Sequence, residues 1–554
     1  MSRLSPLGVA IGLVALLGVT SCGGDRATLE VGRQIEHALA RREMPDDAPW
    51  RDRRTQSLLR AFYKERRMRP AWTTGDGATG QAEKLSEALL HAEEEGLEPE
   101  DYSASDVARH LERKDGSLLA GHDAKKLAEF DLLCTIAAFH YMSDLRDGRI
   151  SPKALDAIWV EKPAEGDLHA MLAEALQKNT VGDLLESLVP TQDGYRKLKE
   201  ARVRYAKIVA DGGWPSIPAG GPMRAGQRGP RVAALRARLA ASGDFGAKGG
   251  DTFDRGLSDA VKRYQARMGR DPDGVVAATE LAELNVPAEL RLRQIELNME
   301  RWRWLPESFG ERYLLVNIPE YMLRIYEGDR PALEMRVVVG KAMNQTPVFS
   351  DKMTQVVVNP TWNVPGSIAR NEIVPAILED ENYLATNTMR VYDDSGKAIE
   401  ARSVDWSDTS ETERLVFRQD AGDQNPLGKI KFLFPNQFDV YLHDTPSGHL
   451  FAKEERSFSH GCVRVEKPLA LAQYVLRGLP EADTSRVQEL IAAGETKTIE
   501  VPEPLPVHIV YLTAFVDEHD AVGFREDVYG IDHDQILELR GRSRAQALQQ
   551  RASR

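Results

Sequence analysis

The chain is poor in cysteine, has no excess of positive charge, and contains no apolar run long enough to cross a bilayer. Three cysteines in 554 residues exclude a scaffold held together by disulfides. A net charge of −13 argues against a nucleic-acid partner, because phosphate backbones select basic surfaces. The one long apolar stretch, Leu7 to Val19, falls short of the roughly 20 residues a spanning helix needs. The length exceeds what a single hydrophobic core holds and predicts three or four domains.

What is present begins with an export pattern. Met1-Ser2-Arg3 supplies a basic start, the apolar stretch follows, and Val19-Thr20-Ser21-Cys22-Gly23 places small residues before a cysteine. This describes a cleaved signal over residues 1–21 rather than an anchor. The cysteine after small residues resembles a bacterial lipobox, which makes Cys22 the expected lipidated first residue of the mature protein. Gly23 behind it favours sorting to the outer membrane over the inner, with the chain in the periplasm. Residues 22–50, polar and charged, read as a tether. Cys134 lies in the apolar helical run Phe130–Phe139 and is expected as a buried structural thiol. Cys462 is then the thiol that needs a chemical explanation.

Along the chain the expected class is multidomain α+β. Residues 51–210 are helical in period, with Leu58, Leu59, Phe62 and Tyr63 on one stripe and Leu85, Leu89, Leu90 and Ala92 on another. They read as a scaffold domain without a catalytic constellation. The linker Asp211-Gly212-Gly213-Trp214-Pro215 through Gly220-Gly221-Pro222 marks a boundary. A compact unit over 226–288 follows, with one stripe of Val232, Leu235 and Leu239, a second of Leu257, Ala260, Val261, Tyr264 and Met268, and a short third of Leu281 and Leu284. From 311 the period changes to strand: Tyr313–Ile318, Met322–Tyr326, Met335–Val339, Gln355–Asn359 and Asp439–His443 are β-rich runs. This domain is expected to run to 500, with an inserted lid over about 369–434 and a C-terminal extension over 501–554. The run Val507–Thr513 leaves that last boundary open to one more strand. The arginines from Arg540 onward read as a solvated helix end.

The chemistry concentrates in Ser457-Phe458-Ser459-His460-Gly461-Cys462-Val463-Arg464, with Tyr441-Leu442-His443-Asp444 upstream. A free thiol has a pKa of about 8.5, so a useful sulfur nucleophile needs a neighbouring base. His443, 19 residues before the cysteine at the end of an expected strand, is the better base. His460, two residues before Cys462, would share its side of an extended segment without reaching the proton. Asp444 offers a carboxylate or a backbone carbonyl to orient the imidazole. Gly461 permits close backbone approach, and the amides around it and Cys462 offer oxyanion donors. Arg464 suits either a substrate carboxylate or a buried acid. His443, His460 and Cys462 would together also suffice for zinc, but without a second ligand cluster that reading is the weaker one.

The string Ser459–Arg464 with His443 upstream resembles the catalytic motif of L,D-transpeptidases of the YkuD type. Thr346–Ser350, Asn359–Pro365, Asn425–Lys429 and Phe432–Asn436 extend the likeness to the large periplasmic branch typified by YcbB. The unit over 226–288 resembles the three-helix peptidoglycan-binding domain through Leu235, Leu239, Gly243, Phe253-Asp254 and Asp273-Gly274. The resemblance implies acyl transfer through a Cys462 thioester, joining two stem peptides by a 3→3 cross-link without metal or organic cofactor. His443 carries the protons, Asp444 orients it, and His460 shapes the site. Arg464, Trp362, Asn363, Ser459 and Tyr441 are assigned to substrate. Water or a protein lysine as acceptor, giving a carboxypeptidase or a ligase, uses the same residues and stays open. An inactive wall-binding lipoprotein is the alternative of another class. The partners implied are peptidoglycan stem peptides and glycan, a membrane through Cys22, and other envelope enzymes.

Overall fold

The computed structural model describes residues 22–41, 53–74, 77–111, 123–151, 159, 166–246, 249–328, 330–517 and 519–541. The expected signal over 1–21, the Cys22 side chain and the tail beyond 541 lie outside the described residues. The chain divides into two compact units, one reaching to Arg146 and resuming over 165–189, the other holding 147–164 and 190–541.

The first unit is helical. Ala124–Asp147 is buried around most of its circumference, from Phe130 and Leu132 through Ile136 and Phe139, as a helix at the centre of a core must be. Asp131 sits inside that core and accepts the backbone N–H groups of Ala71 (2.9 Å), Trp72 (2.7 Å) and Thr73 (2.8 Å) and the Tyr63 hydroxyl (2.7 Å). These bonds satisfy a loop whose donors would otherwise be orphaned. Cys134 is buried beside them, and desolvation pushes its thiol well up. The segment expected as a tether is in part a helix, Cys22–Arg41. Val31, Ile35 and Leu39 recur every fourth residue and bury their side chains in the same core. One narrow stripe among polar residues was enough to dock it.

In the second unit, the helix Asp193–Ala210 packs on Ala288–Arg303, with Gly194 against the Trp302 ring and the Arg303 guanidinium donating to the Tyr195 hydroxyl at 2.8 Å. The periodic reading grouped this helix with the scaffold. Its described partners include Trp302 and Arg303, which lie far away in sequence. The helices Pro230–Ala241, Arg255–Arg267 and Ala278–Leu284 follow the three expected stripes, with Leu235, Leu239, Leu257, Val261, Tyr264 and Leu284 buried.

Nine strands make the main sheet: β1 Arg312–Asn317, β2 Met322–Glu327, β3 Arg330–Gly340, β4 Phe349–Val358, β5 Ile430–Leu433, β6 Leu442–His443, β7 Ser457–Ser459, β8 Val463–Val465 and β9 Lys497–Val510. The order is β7-β3-β8-β6-β5-β4-β9-β1-β2, and β2 pairs again with β3. The sheet therefore closes on itself and leaves little edge for foreign strands. Alternate residues face one core, among them Leu314, Val316, Leu323, Ile325, Val337, Val339, Val356, Val358, Phe432, Leu442 and Val463. β9 corrects the boundary expected at 500: it pairs antiparallel with β4 and parallel with β1 in the middle of the sheet. Pro502, Pro504 and Pro506 disguise it in the sequence; the first two fall where the register shifts between Glu500 and Leu505, and Pro506 pairs with Lys352 beyond it.

The insertion between β4 and β5 has its own four-stranded sheet and its own apolar core of Val364, Ile368, Ile373, Ile377, Leu384, Val391 and Phe417. At its neck the Asn425 amide donates to the Pro360 carbonyl at 2.9 Å, and the Asn359 N–H donates to the Lys429 carbonyl at 2.9 Å. Its end was expected near 434. Ile430–Leu433 instead belongs to the main sheet, bridging β4 and β6.

If Cys22–Arg41 is part of the core, Ile35→Ala should destabilise the helical unit by about 2–5 kcal/mol, the usual cost of emptying a buried isoleucine site. Urea unfolding followed by circular dichroism measures it, and a mere tether would show no change.

Candidate active site

Two strands of three or fewer residues set the site. β6 and β8 run parallel, with Leu442 beside Val463 and His443 beside Arg464, and the Val463 N–H donates to the Tyr441 carbonyl at 3.1 Å. On the other side of β6, His443 faces Lys431 of β5. Lys431, His443 and Arg464 thus form one row across three strands, with Tyr441 and Cys462 one step earlier.

Cys462 lies on the turn joining β7 to β8. Gly461 takes φ +117°, a region that side-chain-bearing residues rarely adopt. The Ser459 hydroxyl, buried, donates to the Cys462 carbonyl at 2.5 Å and accepts the Gly461 N–H at 3.1 Å. The Thr346 hydroxyl donates to the Gly461 carbonyl at 2.8 Å and accepts the Gly340 N–H at 2.9 Å. The Tyr529 hydroxyl ties the same loop to the Gly340 carbonyl at 3.1 Å. Ser459, expected to bind substrate, is spent on the turn. The Gly461 amide is spent with it, so it is not a free oxyanion donor. Among the described residues the Cys462 N–H has no partner. The turn also removes the extended geometry expected for His460, which reaches instead to Glu372 of the insertion, Nε2 to Oε1 2.6 Å.

His443 is buried, and its Nδ1 donates to the Asp444 backbone carbonyl at 2.5 Å. That fixes the tautomer, leaving Nε2 unprotonated. Burial pushes its pKa down to about 3, and the Arg464 and Lys431 cations add to the shift against the Asp444 bond. Of the two options Asp444 offered, the carbonyl orients the ring. Its carboxylate accepts the Lys429 N–H at 2.8 Å and the Thr445 N–H at 2.7 Å, and it presses on Gly428, where a Cβ would collide. Cys462 Sγ approaches the Asp439 carbonyl at 3.9 Å. Burial pushes the thiol up, while hydrogen bonds from the Tyr441 backbone and phenol, then Lys431 and Arg464, pull it back.

The Arg464 Nε is buried without a hydrogen bond, and no acid pairs with its guanidinium among the described residues. Trp362 and Asn363 make their described contacts within the insertion: both pair with Val416–Gln419, the Asn363 side chain accepts from Arg418 at 2.9 Å, and Trp362 packs on the insertion's core. Sequence reasoning missed Lys431 and Asn436. The Asn436 side chain knots the turn ahead of β6 through four bonds with Phe434, Phe438 and Val440 and so aims the Asp439 carbonyl. Asn436 ends a quoted motif and Lys431 precedes it, but neither carried an assigned role, and only the pairing of β5 with β6 singles out the lysine.

Comparison with known proteins assigns three segments. Residues 57–201 match the scaffold domain family, 228–282 the "Putative peptidoglycan binding domain" family and 311–488 the L,D-transpeptidase catalytic domain family. A Haemophilus influenzae protein described as "Putative L,D-transpeptidase" is 34% identical over 240 residues, covering 43% of this chain and 48% of that protein. The chain thus spans about half the length of this relative. A crystal structure of an L,D-transpeptidase from Xylanimonas cellulosilytica is similar at 15% identity, over 53% of this chain and 98% of that one, with a TM-score of 0.17. A fused Zn-dependent amidase/peptidase/peptidoglycan-binding protein from Clostridium acetobutylicum is similar at 12% identity, over 52% and 100%, with a TM-score of 0.15.

Two outcomes follow from this geometry. The neutral rings of His443 and of buried His508, whose pKa desolvation lowers to about 4, bind fewer protons folded than unfolded at acid pH. Their contribution is complete above pH about 6.5 and falls as the pH drops toward 3. His443→Gln should flatten that decline in a pH series of urea midpoints. Asp444→Asn should cost about 1–3 kcal/mol by opposing an amide N–H, yet leave the pH profile of Cys462 alkylation unchanged, because the carbonyl that holds His443 remains.

Proposed function

We propose that this chain, which carries an L,D-transpeptidase catalytic domain of the YkuD type beside a peptidoglycan-binding domain and a scaffold domain, joins peptidoglycan stem peptides by 3→3 cross-links. The observation that carries the reading is a neutral imidazole, locked by a backbone carbonyl, one rung from a thiol on a glycine turn. Such a pair suits acyl transfer better than a resting ion pair would, since burial and two cations oppose an imidazolium.

Cys462 gives its proton to His443 Nε2 as the sulfur attacks the carbonyl carbon of the third residue of a tetrapeptide stem. The bond to the terminal D-alanine breaks, and D-alanine leaves with the proton returned by His443. The thioester is then attacked by the side-chain amine of a second stem, His443 takes the amine's proton, and the sulfur departs. The Cys462 N–H, the free amide of the turn, donates to the oxyanion in both halves. Arg464, without an acid of its own, receives a stem carboxylate, with the Tyr441 ring beside it. His460 acts through Glu372, holding the insertion as a lid that excludes water and favours an amine acceptor. Export, lipidation of Cys22 and an outer-membrane position in the periplasm complete the reading, as in the large YcbB-like branch.

Incubation of the mature protein with disaccharide-tetrapeptides should yield D-alanine and dimers, resolved by mass spectrometry. Cys462→Ala should reduce the yield at least a thousandfold and abolish a covalent carbapenem adduct. Tripeptides without dimers would identify a carboxypeptidase instead, and full activity of Cys462→Ala would remove the nucleophile assignment.

A further inference from the structure

Lys431 is a half-buried cation without an ion-pair partner among the described residues, although the Asp439 carboxylate lies near enough to oppose its desolvation. No described ion pair or hydrogen bond involves its ammonium, and desolvation pulls its pKa down. Its Nζ lies 3.6 Å from the centroid of the Tyr441 ring, a cation–π seat that fixes the ammonium where its stem alone would leave it free. Tyr441 in turn borders the thiol: its ring stands 5.7 Å from that of His443, its carbonyl accepts the N–H of Val463 next to Cys462, and burial and then the Cys462 sulfur push its phenol up. A lysine is rarely buried without a partner. Here the potential partner is the sulfur itself, in its anionic form.

The groups facing Cys462 are few. Tyr441 and His443 come from β6 and its approach, Asp439 from the preceding turn, Lys431 from β5, Arg464 from β8, and His460 from the same turn as the thiol, itself paired to Glu372. The Asp439 carbonyl faces the sulfur, its carboxylate offsets part of the Lys431 charge, and neutral His443 brings no charge. The positive field at Sγ therefore comes from Lys431 and Arg464. Arg464 has an orphaned Nε and stays available to substrate, whereas the Lys431 ammonium is already seated.

We propose that Lys431 is a positioning residue for the nucleophile: held on the Tyr441 ring, its ammonium stabilises the negative charge that develops on Cys462 as the thiol gives up its proton. This rests on the assignment of Cys462 as nucleophile but does not depend on which stem or acceptor it serves. Lys431 does no chemistry itself. Its charge lowers the cost of leaving negative charge on the sulfur as the proton passes to His443 Nε2.

The test follows iodoacetamide alkylation of Cys462 in the mature full-length protein between pH 5 and 10, read on the Cys462 peptide by mass spectrometry so that buried Cys134 does not interfere. Lys431→Met keeps the stem over Tyr441 and removes the charge. The midpoint of its profile should move up by about one pH unit, with alkylation at pH 7 falling about five- to twentyfold. Lys431→Arg should stay within about threefold of wild type. Thermal melts of both variants report folding, and Lys431→Gln provides a second neutral variant if Lys431→Met melts early. An unchanged midpoint in a folded neutral variant overturns the proposal. A raised KM for the donor stem with an unchanged midpoint overturns it too, by making Lys431 a substrate contact. Because alkylation needs no peptidoglycan, a shifted midpoint in a protein that fails to cross-link stems would keep this proposal and sink the cross-linking one.

Discussion

The parallel pairing of β6 with β8 is the constraint on which the site depends. Two strands of two and three residues contribute little stability of their own, and they hold register because Leu442, Val463 and Val465 are fully buried between neighbours in a closed sheet. A slip of one residue would turn His443 into the core and Leu442 out of it. Parallel neighbours need a crossover connection of a dozen or more residues, and the segment from Asp444 to Gly461 supplies it. On the way back it adds β7 to the edge of β3 and delivers Cys462 on a turn shaped by Ser459, Thr346 and Gly461. The spacing of histidine and cysteine in the chain is thus the length of one crossover.

Electrostatics then decides the state of the groups brought together. Burial keeps His443 neutral and opposes ionisation of the thiol, while Arg464 and Lys431, the latter partly offset by the Asp439 carboxylate, supply positive potential. The Asp444 carboxylate, next to the base in sequence, is turned away to cap the Lys429 and Thr445 amides. A carboxylate on Nδ1 would favour an imidazolium, and a carbonyl does so less. The site is short of negative charge until sulfur, oxyanion or substrate provides it.

Much of the fold was legible. The change of period near 311, the three stripes between 226 and 288, and the strands β1 to β4 follow from alternation and helical spacing, because one buried face imposes its period on the residues that fill it. The helix Cys22–Arg41 escaped because three apolar residues in a polar segment carry little weight until the surface they dock on is known. β9 escaped because alternating prolines argue against a central strand unless a register shift absorbs them. The helix Asp193–Ala210 was legible as a helix but its packing on Ala288–Arg303 was not, since periodicity gives a face but not its partner.

The sequence by itself determined the chemical types at the site: a thiol next to glycine, a histidine ending a strand, an arginine two residues on. It also determined that they lie in a β-rich domain behind helical ones. Only the tertiary structure decided that a carbonyl and not a carboxylate holds His443, that Ser459 and the Gly461 amide are consumed by the turn, that Trp362 and Asn363 belong to the insertion, and that Lys431 stands in the row. The reason is common to all four. Each depends on which groups from distant segments compete for the same hydrogen bond or the same charge, and that competition is settled by register across strands.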